Sequence, residues 1–385
     1  MKTKARILLT LAGAFALYSC GENSNSESAA EANFEFSYTI DTVMVDAGEH
    51  FFFLNWGLGL SDVSADSKFL YNLNPDALQI EVVDLESLKL AEVVQLEKEG
   101  PNGVGGGYIS QMEVLGNGNI LLFDYNKISE ITQQGELVRT YEFDKSSLSG
   151  YEFKAEDKIG GMGVFTPDAK VYAAPMEDDD FRKPASGLAI INTETNNITF
   201  KTSDAFSKLD EFRILLQMDG NAMMSTGETS FMDFIGEELI LSNTAFNEVY
   251  RYNLKTDSLS HKTFTAKLTG NERIKNFQTE VDSQERLFEV AKEKNKQVRF
   301  GPMIPLPKEN LIWRISQDLD RMIADSVIQK TVLTIFDADF AMLKELKLEN
   351  FTPSGKSFFK DGMLYNFLNV DDELAFVRLK PVIGR

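Results

Sequence analysis

Few residues in this chain are of types that carry out chemistry by themselves. It has one cysteine, Cys20, and two histidines, His50 and His261, against 59 acidic residues. The histidines are far apart in sequence and follow no metal-ligand spacing, and one thiol is too few for the usual nitrogen and sulfur zinc site. The G-x-S-x-G nucleophile elbow, the H-E-x-x-H zinc helix and the G-x-x-x-x-G-K-[ST] phosphate loop are all missing. No catalytic residue, metal site or cofactor is therefore expected. Carboxylates remain, since a fold that brought two together could make the acid and base of a glycoside hydrolase or lyase.

The strongest local motif is EGPNGVGGGY, Glu99 to Tyr108. It has no lysine, lacks the G-x-G-x-x-G spacing, and lies between two strands rather than before a helix, so phosphate binding is a weak reading. Glycines suit a chain that must turn sharply, because they accept positive φ without strain. Loops of this kind on a rigid scaffold also carry binding residues, which makes Glu99, Asn102 and Tyr108 the candidate ligand contacts. The run Glu177 to Asp180 lacks the spacing and turn glycine of a calcium loop and reads as a solvated hairpin tip. Trp56 and Trp313 could stack on sugars but read as core.

Cys20 has a context of its own. Lys2, Lys4 and Arg6 precede an apolar run from Ile7 to Leu17, the layout of an export signal and too short to span a bilayer. The run ends in Leu17-Tyr18-Ser19-Cys20-Gly21, which resembles a lipobox, although Tyr18 is bulkier than usual there. The expected organisation is a lipoprotein signal peptide over 1–19, a lipid anchor and flexible tether over 20–35, and a folded body over 36–385. Loss of residues 1–19 removes three basic groups and no acid, taking the formal charge from -20 to -23. Such a body is repelled by anionic lipid and by the phosphates of nucleic acid, so the membrane is reached through the lipid on Cys20 and no nucleic-acid partner is expected. The expected location is the cell envelope, with the outer membrane as anchor and either the periplasm or the cell surface as the side faced.

The body must be built from short strands. ISQMEVLG, NILLFDY, KISEITQ and ELVRTYEF, between 109 and 143, are separated by the turn signals Gly116-Asn117-Gly118 and Gln134-Gly135. The same four-part meander recurs between 58 and 97, 159 and 203, 230 and 266, and 298 and 349. A sixth unit, from 355 to 379, has three strands only. FSYTIDTVMV, residues 36–45, can supply the fourth and protect an open edge. These features predict an all-β fold: a six-bladed β-propeller of four-stranded antiparallel blades, the N-terminal strand closing the last blade. Two stretches break the rhythm. Apolar residues at helical spacing predict short helical insertions over 205–219 (Phe206, Leu209, Phe212, Leu215, Leu216) and 272–297 (Ile274, Phe277, Val281, Phe288, Ala291).

The lipobox, the GPNGVG string at 100–105 and the strand-rich body together resemble an uncharacterised lipoprotein family of Bacteroidota, a domain of unknown function itself similar to six-bladed TolB-like propeller lipoproteins. The resemblance implies an outer-membrane lipoprotein and supplies no catalytic residues. The leading functional reading is a lipid-anchored propeller that binds a peptide, glycan or envelope protein without turning it over. The alternatives are a carbohydrate-active hydrolase or lyase using carboxylates in the funnel, and a structural component of an outer-membrane assembly.

Overall fold

The computed structural model describes residues 34–384 except 106, 107, 126, 219 and 325. The expected signal peptide, Cys20 and nearly all of the tether lie outside the described residues. Phe34 is already buried and Glu35 already begins a strand, so the folded body starts slightly before residue 36.

Strand β1 (Glu35–Met44) opens the chain. A first four-stranded sheet follows: β2 (Ser61–Val63), β3 (Phe69–Asn74), β4 (Gln79–Asp84) and β5 (Lys89–Gln95). The second consists of β6 (Gln111–Val114), β7 (Ile120–Phe123), β8 (Ile128–Ile131) and β9 (Leu137–Tyr141). In the third, the inner strand is broken into β10 (Asp157–Ile159) and β11 (Val164–Phe165), which both pair with β12 (Val171–Asp178); β13 (Gly187–Asn192) and β14 (Asn197–Thr202) complete it. Gly163 stands at the break because the Tyr172 ring and the Ala173 carbonyl leave no room for a Cβ there.

An insertion follows with β15 (Ile214–Met218) and β16 (Asn221–Thr226). The fourth sheet then runs through β17 (Ser230–Ile235), β18 (Glu238–Asn243), β19 (Glu248–Asn253) and β20 (Ser258–Thr263). A second insertion holds β21 (Glu280–Val281) and the helix Gln284–Lys294. The fifth sheet has β22 (Arg299–Leu306), β23 (Leu311–Ile323), β24 (Ser326–Asp337) and β25 (Met342–Leu348). The last has β26 (Ser357–Lys360), β27 (Met363–Val370) and β28 (Glu373–Gly384), with β1 as its fourth strand. The register of that pairing runs from Glu35 opposite Gly384 to Met44 opposite Ala375. Arg378 grips Asp41 with two bonds of 2.7 and 2.6 Å across it.

Each sheet buries its faces against its neighbours. One apolar cluster joins the first and second sheets through Leu73, Ile80, Val104 and Ile120, and similar clusters join each later pair. A further cluster joins the last sheet to the first through Leu70, Val83, Phe367 and Phe376. Alternating side chains with both faces covered explain why the middle strands are apolar almost throughout, as in β7 (ILLF).

The two insertions differ from the expected pair of helices. Of residues 205–219, only Ser207–Asp210 make a helical turn, and Ile214–Met218 form a strand. The reason is an Asp219-Gly220 turn signal after a run in which Ile214 and Leu216 alternate into the core. The second insertion does contain a helix, Gln284–Lys294, capped by the Ser283 side chain, which accepts from the Arg286 amide. Its buried residues are Leu287, Val290 and Lys294, while Phe288 on the helix and Ile274 before it are exposed. The insertions come together as one module: β15 pairs antiparallel with β16 and parallel with β21, and the helix packs on them. A buried carboxylate pins the module down. Glu228 meets Arg273 at 3.1 Å and Lys294 at 2.8 Å, with each of these side chains at most 5% exposed.

Candidate functional site

The short inner strands place acids next to one another. Asp62 on β2, Glu113 on β6 and Asp233 on β17 lie on the first strands of their units, Glu113 and Asp233 between apolar neighbours and Asp62 between Ser61 and Val63. Asp62 accepts from the Val114 amide at 2.9 Å and from Lys356 Nζ at 2.9 Å. Glu113 accepts from Gln111 Nε2 at 2.6 Å and from the Phe165 amide at 3.2 Å. Each of these carboxylates thus ties its strand to the main chain of the next inner strand. Asp233 departs from the pattern: the bond holding it comes from the adjacent Phe234 amide. The wall that it shares with β22 contains Pro302, which has no N–H to offer.

Enclosure raises the carboxyls of Glu113 and Asp233. Burial pushes Glu113 up to about 8, the nearby charges of Asp62 and Asp233 add to this, and the Phe165 amide and Gln111 oppose it. Asp233 is wet at its surface yet walled by protein on most sides. Loss of bulk water, then the charge of Asp62, push it up to about 6 against the pull of the Phe234 amide and Lys356. Glu113 is thus protonated at neutral pH and Asp233 largely charged.

Two cavities meet here. One, of about 340 Å³, is lined by Val164, Met232, Ile240 and Met303, with Asp233 as its one charged residue. The other, of about 430 Å³, is lined by Phe300, Ile304, Ile315 and Pro353, and its charged residues are Arg299 and Lys356. Phe231 and Pro302 belong to both walls. Apolar walls with a few placed polar groups are the usual composition of a small-molecule site. A larger depression of about 560 Å³ lies on the insertion module instead; its lining of Glu280, Asp282, Glu285 and Glu289 is that of a solvated acidic surface.

The residues expected from sequence lie elsewhere. Asn102 is part of the loop's own framework: its Oδ1 accepts from the Leu137 amide at 3.3 Å and its Nδ2 reaches Glu97 at 3.4 Å. Glu99 and Tyr108 are exposed, and none of the three lines the two cavities. The loop itself links the outer strand β5 to the inner strand β6, and it buries Val104 between the first two sheets. Both histidines serve buried glutamates of third strands, His50 on Glu81 and His261 on Glu248, each at 2.8 Å. Trp313 is core as expected. Trp56 is not: it stands 64% exposed where the chain takes a left-handed turn through Trp56, Gly57 and Leu58. The Asp178 to Asp180 tip is solvated and held by ion pairs to Lys183 and Arg182.

Asp62, Glu113 and Asp233 were not singled out from the sequence. The signal was present as an acid before an apolar residue in the first strand of three units, apolar-acid-apolar in Met112-Glu113-Val114 and Met232-Asp233-Phe234 and with Ser61 in the leading place in Ser61-Asp62-Val63.

A family described as a domain of unknown function, DUF4221, matches residues 33–347. The chain belongs to the DUF4221 family. A DUF4221 member from Bacteroides vulgatus is similar over 92% of this chain and 99% of that one, at 14% identity and a TM-score of 0.62. A Bacteroides fragilis protein named as an exported protein is similar over 92% of this chain and 97% of that one, at 10% identity and a TM-score of 0.50. At such identities these likenesses concern the fold. No curated protein matches the chain. The expected resemblance to a family of unknown function found in Bacteroidota agrees with this membership.

Proposed function

We propose that this DUF4221 protein is a lipid-anchored cell-envelope propeller, its six sheets the blades of one closed ring, that binds a small peptide or glycan ligand in the joined inner cavities and releases it unchanged. The observation that carries the reading is the pair of cavities sharing Phe231 and Pro302, with apolar walls and an uncommitted carboxylate at Asp233. Supporting closure, apolar clusters link each sheet to the next and the last to the first, and β1 pairs with β28. A hydrolase needs two carboxyls free to act on substrate. Here both oxygens of Asp62 and both of Glu113 are bonded within the protein, which leaves one free acid. Anchoring rests on the signal pattern before Cys20, and the exported name of the Bacteroides fragilis neighbour is in keeping with it. Glu99 and Tyr108, exposed on the loop between the first two sheets, are contacts for a ligand larger than the cavities.

The test is a panel of short peptides and oligosaccharides titrated against the Cys20→Ala chain, with Phe231→Ala as control. Saturable binding that Phe231→Ala weakens at least tenfold is expected. Turnover of any panel member, or binding indifferent to Phe231, contradicts the reading.

A further inference from the structure

The charges in the two cavities are segregated by sign. Asp233 is the one charged side chain in the first; Arg299 and Lys356 are the charged side chains in the second. Lys356 is already paired with Asp62 at 2.9 Å. Arg299 makes no ion pair or side-chain hydrogen bond among the described residues, and Asp233 is held by the Phe234 amide alone. One uncommitted anion and one uncommitted cation thus face two cavities whose shared wall, Phe231 and Pro302, is apolar.

From this arrangement we infer that the ligand is a short free peptide, its ammonium group on Asp233 and its carboxylate on Arg299, with an apolar side chain against Phe231 and Pro302. The inference rests on the proposed function and names the ligand class for the same cavities. A neutral sugar would cover both charges and pair with neither, and leaving a charge desolvated and unpaired is costly. A zwitterion gives each a partner of opposite sign through charge-assisted bonds, which are stronger than neutral ones. A single amino acid is small for cavities of about 340 and 430 Å³ that share a wall, whereas a tripeptide has the size to occupy both. The need for both ends also selects a free peptide over the terminus of a protein chain.

The experiment uses the full Cys20→Ala chain and a library of free tripeptides, with alanyl-leucyl-alanine and its N-acetylated and C-amidated forms titrated by calorimetry. We expect the free form to bind and either blocking group to weaken it at least tenfold, the range of one charge-assisted bond. In Asp233→Asn the penalty for acetylation should vanish while that for amidation stays; Arg299→Gln should do the reverse. Both side chains reach solvent and neither makes an ion pair, so neither variant should lower the melting temperature, which is measured alongside. Equal binding of free and blocked peptides, or no binding by any free tripeptide at millimolar concentration, overturns the inference. If a neutral oligosaccharide binds and Phe231→Ala abolishes it, the proposed function survives and the peptide inference does not. If no ligand depends on Phe231, both fall.

Discussion

Replacing Glu113 by Gln should change how the protein's stability depends on pH. In the folded chain the carboxyl sits at about 8 against an ordinary value of 4.5, so between those limits the folded state holds a proton that the unfolded chain has lost. Stability from this group is therefore complete below about pH 4.5, falls as pH rises, and levels off above about 8. At about 1.4 kcal/mol for each pH unit the full interval amounts to about 5 kcal/mol. Because Glu113 keeps a partly wet surface, the expected loss is about 2–3 kcal/mol. Its electrostatic surroundings are Asp62, Asp233 and the Tyr172 hydroxyl, with Gln111 and the Phe165 amide as its bonded partners. Gln is isosteric, has no proton to lose, and keeps an acceptor for the Phe165 amide. Urea midpoints of wild type and Glu113→Gln, measured from pH 4.5 to 8.5, should coincide near the acid end. They should diverge in favour of the variant by about 2–3 kcal/mol at the alkaline end. Parallel curves across the whole range would refute the argument that this carboxyl is held protonated.

Glu228→Ala should cost about 3–5 kcal/mol, because it strands Arg273 and Lys294 in the interior with no carboxylate between them; a loss below about 1 kcal/mol in urea unfolding would contradict this. Gly355→Ala should destabilise the seam between the last and first sheets by about 1–3 kcal/mol or more, since its Cβ would lie 2.8 Å from the Gly57 Cα at a φ of +60°. A variant as stable as wild type would show that this close approach is absent in solution. Cys20→Ala should move the protein from the membrane fraction to the soluble fraction on cell fractionation, and unchanged membrane association would remove the lipid anchor from the account.

Much of the architecture was legible because each unit carries its own local signals. Asn117-Gly118 and Gln134-Gly135 mark tight turns, and Gly118 and Gly135 do adopt positive φ. The pairing of residues 36–45 with the end of the chain followed from counting three strands in the last unit, and β1 lies on β28 in that manner. The helical reading of 205–219 failed because Leu215 and Leu216 fit a 3.6-residue period and a strand period equally well over so short a run. The antiparallel pairing of Ile214–Met218 with Asn221–Thr226 makes it a hairpin. The site was less legible for a different reason. Asp62, Glu113 and Asp233 are brought together by the stacking of separate sheets, and the raised proton affinities of Glu113 and Asp233 arise from that enclosure rather than from any local motif. By contrast, in the conspicuous glycine-rich motif Gly100 and Gly105 take positive φ to turn the chain, and Val104 is seated between the first two sheets.

The second cavity depends on the first strand of the chain holding the last sheet in place, since its wall joins Arg299 of the fifth unit to Lys356 of the sixth, and Lys356 in turn pairs with Asp62 of the first. Thr39 and Lys380 face each other across β1 and β28 and are both exposed. In a Cys20→Ala background, Thr39→Cys with Lys380→Cys should form a disulfide under mild oxidation and raise the urea midpoint, with the wild-type circular dichroism spectrum retained. Thiols that remain free in the natively folded double variant would contradict ring closure, and with it the site.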